Sequence, residues 1–152
     1  MKKTIVFALL VFLTLCPSTA KDKAPKNENV KNVILIIGDG MGLAATGSWM
    51  INQNYAPTCF DRAQYAAVVK TYSANSRTTD SAAASTAIAT GFKTNNGMLG
   101  MLPDGTKPSS IAKLAKDKGL STGLVVTSFV LDATPGGFYA HVKSRNDMKD
   151  IA

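Results

Sequence analysis

A short apolar run ends in a glycine-rich turn at residues 34–42, which read ILIIGDGMG. Four consecutive apolar residues are typical of a buried strand in a parallel sheet, and the glycines allow the backbone to turn sharply beside a ligand. Open α/β sheets bind their ligands at this end of a strand. The carboxylate of Asp39 is a hard oxygen donor that suits a divalent cation. The stretch therefore predicts an α/β fold with a candidate metal ligand at Asp39, although a strand-end aspartate can also simply form a turn.

The glycines of this chain do not form a nucleotide-binding loop. The spacing Gly38-x-Gly40-x-Gly42 differs from G-x-G-x-x-G, and no acidic residue follows at the distance that a dinucleotide site requires. Lys93-Thr94 follows Gly91 without the G-x-x-x-x-G-K spacing of a P-loop. The sequence therefore excludes both common classes of nucleotide site.

A second motif is Asp80-Ser81, which precedes the small-residue run Ala82-Ala83-Ala84. The run predicts a helix over residues 81–90 with an acid and a hydroxyl at its beginning. Free N–H groups and the positive end of the helix dipole favour an anion at this point, either a phosphate or a serine alkoxide. Aspartate and serine are also preferred N-caps, so the same pattern is compatible with a helix start that has no chemical role.

A third cluster follows the apolar run Leu124-Val125-Val126. It supplies a carboxylate at Asp132, a hydroxyl at Thr134 and a guanidinium at Arg145. Arginine can bind a phosphate through two parallel hydrogen bonds. A single arginine is usually a solvated surface residue, so the cluster gains meaning from its order after Asp39 and Ser81.

The alternation of apolar runs and amphipathic segments predicts an α/β fold with a mostly parallel sheet flanked by helices. Strands are predicted at residues 33–37, 66–72 and 121–127, with a possible turn-linked pair around 98–102 and Lys107. Helices are predicted at residues 43–52, 81–90, 109–118 and 135–142. These strands are few for a two-faced sheet, so we expect an incomplete sheet with apolar faces left uncovered.

Taken together, the motifs resemble the metal-dependent alkaline phosphatases. The similarity runs from about Asn32 to Arg145 in the order of the family. The matching segments are Ile36-Ile37-Gly38-Asp39-Gly40-Met41-Gly42, Thr79-Asp80-Ser81-Ala82-Ala83, Ala89-Thr90-Gly91-x-Lys93-Thr94-x-x-Gly97, Asp132-Ala133-Thr134-Pro135 and His141-Val142-x-Ser144-Arg145.

The resemblance implies hydrolysis of phosphate monoesters through a phosphoserine intermediate. By this similarity Ser81 is the nucleophile, Arg145 binds the phosphate and Asp80 positions the arginine. The resemblance also implies two Zn²⁺ ions and one Mg²⁺ ion in a complete site. Full-length members of the family are often homodimers, which makes a homodimer the implied oligomer.

The metal ligands are likewise implied by the resemblance. Asp39 matches the carboxylate that helps to bind both a zinc and the magnesium, and Ser81 matches a zinc-coordinated hydroxyl. Asp132 and Thr134 match positions of the magnesium site, which they reach directly or through water. Two metal ions can stabilise the attacking and leaving oxygens of a phosphoryl transfer, so the implied chemistry is coherent.

The number of histidines is too small for the implied zinc site. A binuclear zinc site with nitrogen ligands requires several histidines, and the chain has one, His141. In the family the remaining zinc ligands lie well downstream of the arginine. We therefore interpret the chain as the N-terminal part of a longer enzyme and expect it to be inactive alone. A Ser-His-Asp triad is the weaker alternative, because His141 would have to reach Ser81 and there is no G-x-S-x-G elbow; we expect His141 to be a packed or capping residue.

The N-terminus has the pattern of a secretory signal peptide over residues 1–20, with Lys2-Lys3, an apolar segment and a small-residue cleavage site at Ala20. The apolar segment is too short to span a membrane stably. Export to the periplasm or the extracellular space is predicted, with a flexible polar arm at 21–31 and the α/β domain at 32–152. Lipidation of Cys16 is less favoured, because Leu15 is bulky where processing prefers a small residue.

The net charge of +7 allows an anionic substrate but does not indicate a nucleic-acid partner, since no basic groove with interleaved aromatic residues is evident. Two alternatives to the phosphomonoesterase stay open. One is a phosphodiesterase of the same superfamily, which would often use threonine as its nucleophile. The other is a non-catalytic remnant or module that binds a metal ion or phosphate through Asp39, Asp132 and Thr134.

Overall fold

A computed structural model describes residues 30–152. The predicted signal peptide at 1–20 and residues 21–29 of the predicted arm lie outside the described residues. The chain from Ile37 to Ala152 forms one compact unit, which contains all the candidate site residues. Its helical segments are α1 (Leu43–Asn52), a 3₁₀ turn (Phe60–Arg62), α2 (Ser81–Thr90), α3 (Ile111–Asp117), α4 (Ala133–Gly136) and α5 (Met148–Ile151).

Helices α1 and α2 have the predicted bounds. The ends of α2 are fixed by its own sequence: the side chain of Asp80 accepts a hydrogen bond from the N–H of Ala83, and Gly91 ends the helix at a φ of 81°. Helix α3 is shorter than predicted, because Ser110 is its N-cap and Gly119 follows its last turn at a φ of 78°. No helix of residues 30–152 is long and apolar enough to cross a membrane.

The predicted helix at 135–142 is wrong in its extent. Helix α4 lies earlier, at Ala133–Gly136, and residues 137–139 form hydrogen-bonded turns before the chain reaches Val142. Val142 forms an antiparallel bridge with Leu99, in which each N–H donates to the other carbonyl at 3.0 and 2.9 Å. A residue paired in this way cannot also continue a helix, so tertiary pairing prevails over the local preference.

The predicted parallel sheet is not confirmed. Residues 30–152 contain no β-strand, and the segments 33–37, 66–72 and 121–127 lack regular secondary structure. The turn-linked strand pair predicted around 98–102 and Lys107 does not form either, because Leu99 pairs with the distant Val142 in an isolated bridge. An apolar run becomes a strand only when a partner backbone completes its hydrogen bonds, and none of these segments is so paired within the described part of the chain.

Apolar side chains of the three segments are exposed. Val68 and Val125 have 91% and 99% of their surface accessible, and Ile34 has 85%. Two turns form where glycine follows asparagine or aspartate, at Asn95-Asn96-Gly97 and at Asp104-Gly105, as these pairs favour. Gly97 has a φ of 88° in the first, and the N–H of Leu102 donates to Thr106 at 2.8 Å across the second. The turns therefore form from interactions between neighbouring residues, whereas a sheet requires pairing with a distant segment.

A small core supports the site. It joins α2, the Leu99–Val142 bridge, α4 and α5. Its buried members are Ala82, Leu99, Ala133, Ala140, Val142 and Ile151, with Leu131 packed against them.

Small residues bring α2 and α4 close together. The Ser85 hydroxyl donates to the carbonyl of Ala133 at 2.9 Å. A Cβ at Gly137 would lie 2.2 Å from Ser85 Oγ, so only glycine fits there. This contact holds α2, which begins with Ser81, beside α4, which contains Thr134.

Candidate active site

Asp39 is the point at which two distant segments meet. Ser81 Oγ donates a hydrogen bond to Asp39 Oδ1 at 3.1 Å, and Thr134 Oγ1 donates to Asp39 Oδ2 at 2.6 Å. The serine is 42 residues and the threonine 95 residues from the aspartate. Two of the predicted site residues therefore donate to the carboxylate of a third. The serine and the threonine are half-buried, and the aspartate is exposed.

Hydrogen bonds keep Asp39 ionised. The Thr134 hydroxyl lowers the pKa of Asp39 most, the Ser81 hydroxyl lowers it next, and the charge of Arg145 also lowers it. Desolvation and the charge of Asp132 act in the opposite direction but do not prevail. An anionic carboxylate that already faces two hydroxyl oxygens is suited to bind a cation and is a poor acceptor for a catalytic proton.

Asp80 connects the start of α2 to the arginine. Its Oδ1 accepts from the N–H of Ala83 at 2.9 Å, and its Oδ2 accepts from the N–H of Gly97 at 2.9 Å. Arg145 Nη1 lies 3.4 Å from the same Oδ2 in a partly exposed ion pair. One carboxylate therefore both caps the helix that begins with Ser81 and holds the guanidinium near it.

Asn96 is a further candidate residue, which the sequence motifs do not single out. Its Oδ1 accepts from the N–H of Asp80 at 3.1 Å, and its Nδ2 donates to the carbonyl of Thr78 at 2.9 Å. The sequence signal, Asn95-Asn96-Gly97, predicts a tight turn but says nothing of what the amide contacts. The role of such an asparagine becomes visible only when the turn is placed beside Asp80.

Asp132 stands at the beginning of α4 and is half-buried. Its Oδ2 accepts from the N–H of Phe129 at 3.2 Å. The Ser128 hydroxyl lowers the pKa of Asp132 most, followed by the Phe129 N–H, with a smaller contribution from Arg145. The charge of Asp132 acts to raise the pKa of Asp39, but the hydrogen bonds to Asp39 outweigh it.

His141 lies outside this cluster of hydrogen bonds. Its Nδ1 is 2.6 Å from the carbonyl of Gly100, an arrangement in which a protonated Nδ1 donates to the carbonyl. The Ser81 hydroxyl donates to Asp39 instead of to an imidazole. His141 therefore bonds a loop carbonyl outside any helix, and this geometry gives no support to a Ser-His-Asp triad.

The donors fit magnesium better than zinc. Asp39, Asp132 and Thr134 offer carboxylate and hydroxyl oxygens, the ligand type that magnesium prefers. Within residues 30–152 there is no group of three or more His, Cys, Asp or Glu side chains arranged to hold a metal ion. The nitrogen ligands of a zinc pair are also lacking, because the single histidine of the chain contacts Gly100.

Known proteins similar to this chain identify its family. The model of the alkaline phosphatase family matches residues 30–152, which include every candidate site residue. The chain belongs to the alkaline phosphatase family. It is 36% identical to alkaline phosphatase 3 of Bacillus subtilis over 159 residues, covering 98% of this chain and 34% of that protein. It is 41% identical to alkaline phosphatase 4 of the same organism over 145 residues, covering 88% and 31%.

Solved structures of alkaline phosphatases are similar in fold to this chain. A variant of the enzyme from the Antarctic bacterium TAB5, with magnesium bound at a site designated M3, superposes with a TM-score of 0.73 at 36% identity. The match covers 79% of this chain and 34% of that one. The chain therefore spans about a third of the length of the alkaline phosphatases that it matches. The similarity supports the α/β class through these structures, although the sheet itself is not formed in residues 30–152.

Proposed function

We propose that the chain carries the nucleophile and the phosphate-binding arginine of an alkaline phosphatase that hydrolyses phosphate monoesters. One observation supports this most: Ser81 begins α2, donates to Asp39, and is preceded by the aspartate that pairs with Arg145. The proposed nucleophile thus begins the helix whose N-cap carboxylate pairs with Arg145, the one cation among these groups that can bind and neutralise a phosphate.

In the proposed reaction Ser81 Oγ attacks phosphorus opposite the leaving alcohol. The new O–P bond forms as the bond to the alcohol oxygen breaks, and the proton lost from the Ser81 hydroxyl ends on the departing alcohol. Water then attacks the phosphoserine, the Ser81–phosphorus bond breaks, one proton of the water returns to Ser81 Oγ, and inorganic phosphate is released. Arg145 balances the charge of the equatorial oxygens, and Asp80 holds the guanidinium in place. Asp39 accepts the hydrogen bond that orients Ser81 Oγ.

For the metal ions, we propose that Asp39, Asp132 and Thr134 supply oxygen ligands for Mg²⁺, and that Asp39 and Ser81 also belong to a site with two Zn²⁺ ions. Bound divalent cations lower the pKa of a coordinated hydroxyl and neutralise charge that develops on oxygen. The remaining zinc ligands would have to come from polypeptide other than these 152 residues, because one histidine cannot complete the pair. The 152-residue chain is therefore proposed to be inactive by itself.

A complementation assay tests this proposal. The chain would be expressed alone, and together with the roughly two-thirds of Bacillus subtilis alkaline phosphatase 3 that lies outside the match. We expect zinc-dependent hydrolysis of p-nitrophenyl phosphate only from the combination, and loss of turnover and of phosphoserine in Ser81→Ala. The matched control is Ser109→Ala at an exposed serine outside the site, which should keep both. Strong turnover by the chain alone, or labelling retained in Ser81→Ala, would contradict the proposal.

A second candidate, a non-catalytic module that binds magnesium, is favoured by the all-oxygen donor set. In that case Mg²⁺ would bind the chain alone, and the combination would give no turnover. Isothermal titration with Mg²⁺, using Asp39→Asn as the matched variant, distinguishes binding at this site from binding elsewhere. A phosphodiesterase is tested by the same combination, through its preference for a mono- or a diester substrate.

Localisation and assembly are further parts of the proposal. We propose that residues 1–20 are removed on export and that the assembled enzyme is a homodimer that acts on a soluble phosphate monoester. The N-terminal sequence of the exported chain should then start at Lys21, whereas a lipid-modified Cys16 would support the anchored alternative. Light scattering on the complemented enzyme measures the number of subunits.

A further inference from the structure

The turn at Asn95-Asn96-Gly97 contacts the backbone on the N-terminal side of Ser81. The Asn96 side chain binds two peptide groups of that segment, the carbonyl of Thr78 through Nδ2 and the N–H of Asp80 through Oδ1. Because both ends of one planar amide are used, the path of residues 78–80 relative to the turn is fixed. Ser81 follows this segment directly, so its Cα is placed by the same two bonds.

Gly97 makes the second connection. Its N–H donates to Asp80 Oδ2 at 2.9 Å, and its carbonyl accepts from the N–H of Arg145 at 2.7 Å. Gly97 has a φ of 88°, in the left-handed region that favours glycine. The N–H and the carbonyl of one residue thus join the aspartate carboxylate to the backbone of the arginine that pairs with it.

The turn is itself anchored on its other side. The N–H of Asn96 donates to Asn75 Oδ1 at 2.9 Å, and the carbonyl of Thr94 accepts from the N–H of Ala74 at 2.8 Å. Thr94 is fully buried, and its hydroxyl donates to the carbonyl of Met101 at 2.6 Å. Because the turn is hydrogen-bonded on both sides, it has little freedom to move. It can therefore hold the groups that it binds in fixed positions.

We propose that Asn96 and Gly97 form a positioning turn that sets Ser81 and Arg145 at a fixed separation by holding Asp80 between them. The inference rests on the roles proposed above for Ser81 and Arg145. Neither turn residue has to touch the phosphate; each acts through Asp80, and Gly97 also through the Arg145 backbone. Errors of about 1 Å in such a pair are enough to weaken recognition of a phosphate strongly.

Amide hydrogen exchange on the full chain tests the contacts without requiring turnover. In Asn96→Ala we expect about tenfold less protection at the amides of Asp80, Ala83, Gly97 and Arg145. The amide of Gly91, which bonds to Ala87 at the far end of α2, should be unchanged. A uniform loss across α2, no loss at all, or no protection of Gly97 in the unaltered chain would each overturn the proposal.

Two further variants separate positioning from general damage. Asn95→Ala alters the same turn, but its side chain makes none of the hydrogen bonds found in residues 30–152, so all protections should stay at their original values. Asn96→Asp keeps an oxygen for the Asp80 N–H and loses the donor to Thr78, so an intermediate loss of about threefold is expected. A loss in Asn95→Ala equal to that in Asn96→Ala would contradict the assigned role.

Inorganic phosphate provides the functional measurement. Titration followed by ³¹P NMR should show about fivefold to tenfold weaker binding in Asn96→Ala and unchanged binding in Asn95→Ala. Unchanged phosphate affinity in Asn96→Ala would overturn the positioning role. If the unaltered chain alone binds no phosphate, the titration is made on the complemented protein, and absence of binding there would contradict the proposed function. The pattern of amide exchange decides independently whether the turn holds Asp80 and Arg145.

Discussion

Apolar residues of similar type have opposite fates in two regions of this molecule. Leu99 and Val142 pair with each other beneath the site and are buried, whereas Val68 and Val125 lie in runs that predict strands and are almost fully exposed. The first pair has a complementary backbone within the described chain, and the others do not. The comparison teaches that apolar patterning indicates which residues gain from burial, while a partner segment decides whether burial occurs.

The largest expected contrast is between Leu99→Ala and Val125→Ala. Leu99 is fully buried, so its truncation should lower the free energy of unfolding by about 3 kcal/mol through lost burial and a residual cavity. Val125 is 99% exposed, and its truncation should change this quantity by less than about 0.5 kcal/mol. Urea denaturation measures both. Equal effects would mean that the two regions do not differ in packing.

Two glycines test the same difference in packing between a buried and an open position, and both change by a single methyl group. A Cβ at Gly137 would meet Ser85 Oγ at 2.2 Å and the Ser85 backbone carbon at 2.9 Å, whereas a Cβ at Gly123 would meet nothing within 4 Å. Gly137→Ala should therefore destabilise the chain by about 2 kcal/mol, and Gly123→Ala should be close to neutral. Thermal unfolding of both variants checks this difference. A neutral Gly137→Ala would show that α2 and α4 can separate without cost.

The helix starts provide a smaller contrast. The side chain of Asp80 caps α2, while α1 begins at Gly42 without a side-chain cap. Asp80→Ala should cost about 1 kcal/mol or somewhat more, and Gly42→Ser should gain a few tenths of a kcal/mol. Amide exchange within each helix measures the two effects separately. A loss in α1 caused by Asp80→Ala would contradict the independence of these helix starts.

The smallest expected effect is on the pKa of Asp39 and on the pH dependence of stability. Because the pKa of Asp39 is lowered by folding, the stability it contributes is present above the ordinary aspartate pKa of 3.8 and is lost as the pH falls through the lower folded value. Thr134→Val removes the largest cause and should raise the pKa of Asp39 more than Ser81→Ala does. Carboxyl ¹³C NMR titration of the two variants checks this order. The reverse order would make the serine, and not the threonine, the main partner of the carboxylate.

Local sequence signals predicted the parts that depend on neighbouring residues. The bounds of α1 and α2 follow from composition and from the Asp80 and Gly91 ends, and the turn at Gly97 follows from the Asn-Gly pair. The predicted helix at 135–142 was wrong in its extent: α4 spans Ala133–Gly136, and Val142 pairs with Leu99. The sheet could not be decided from apolar runs, since each run lacks a paired backbone in residues 30–152.

The candidate site shows the same division between local and distant causes. Motif order and the family resemblance singled out Asp39, Ser81 and Thr134, and the structure adds that both hydroxyls donate to the one carboxylate. Asn96 could not be found in this way, because the matching segment from Ala89 to Gly97 leaves its position unspecified and its contacts with Thr78 and Asp80 exist only in the folded chain.

The sequence by itself determined the kinds of group available: three carboxylates, a serine and an arginine in the order of a phosphatase, and only one histidine. It also determined the helix that begins at Ser81, since capping and helix formation depend on residues close together in the chain. Tertiary structure alone decided that Asp39 accepts from both Ser81 and Thr134, and that a glycine turn joins Asp80 to Arg145. These contacts depend on the close approach of α2 and α4 and on the anchored turn, which arise from packing between segments distant in sequence.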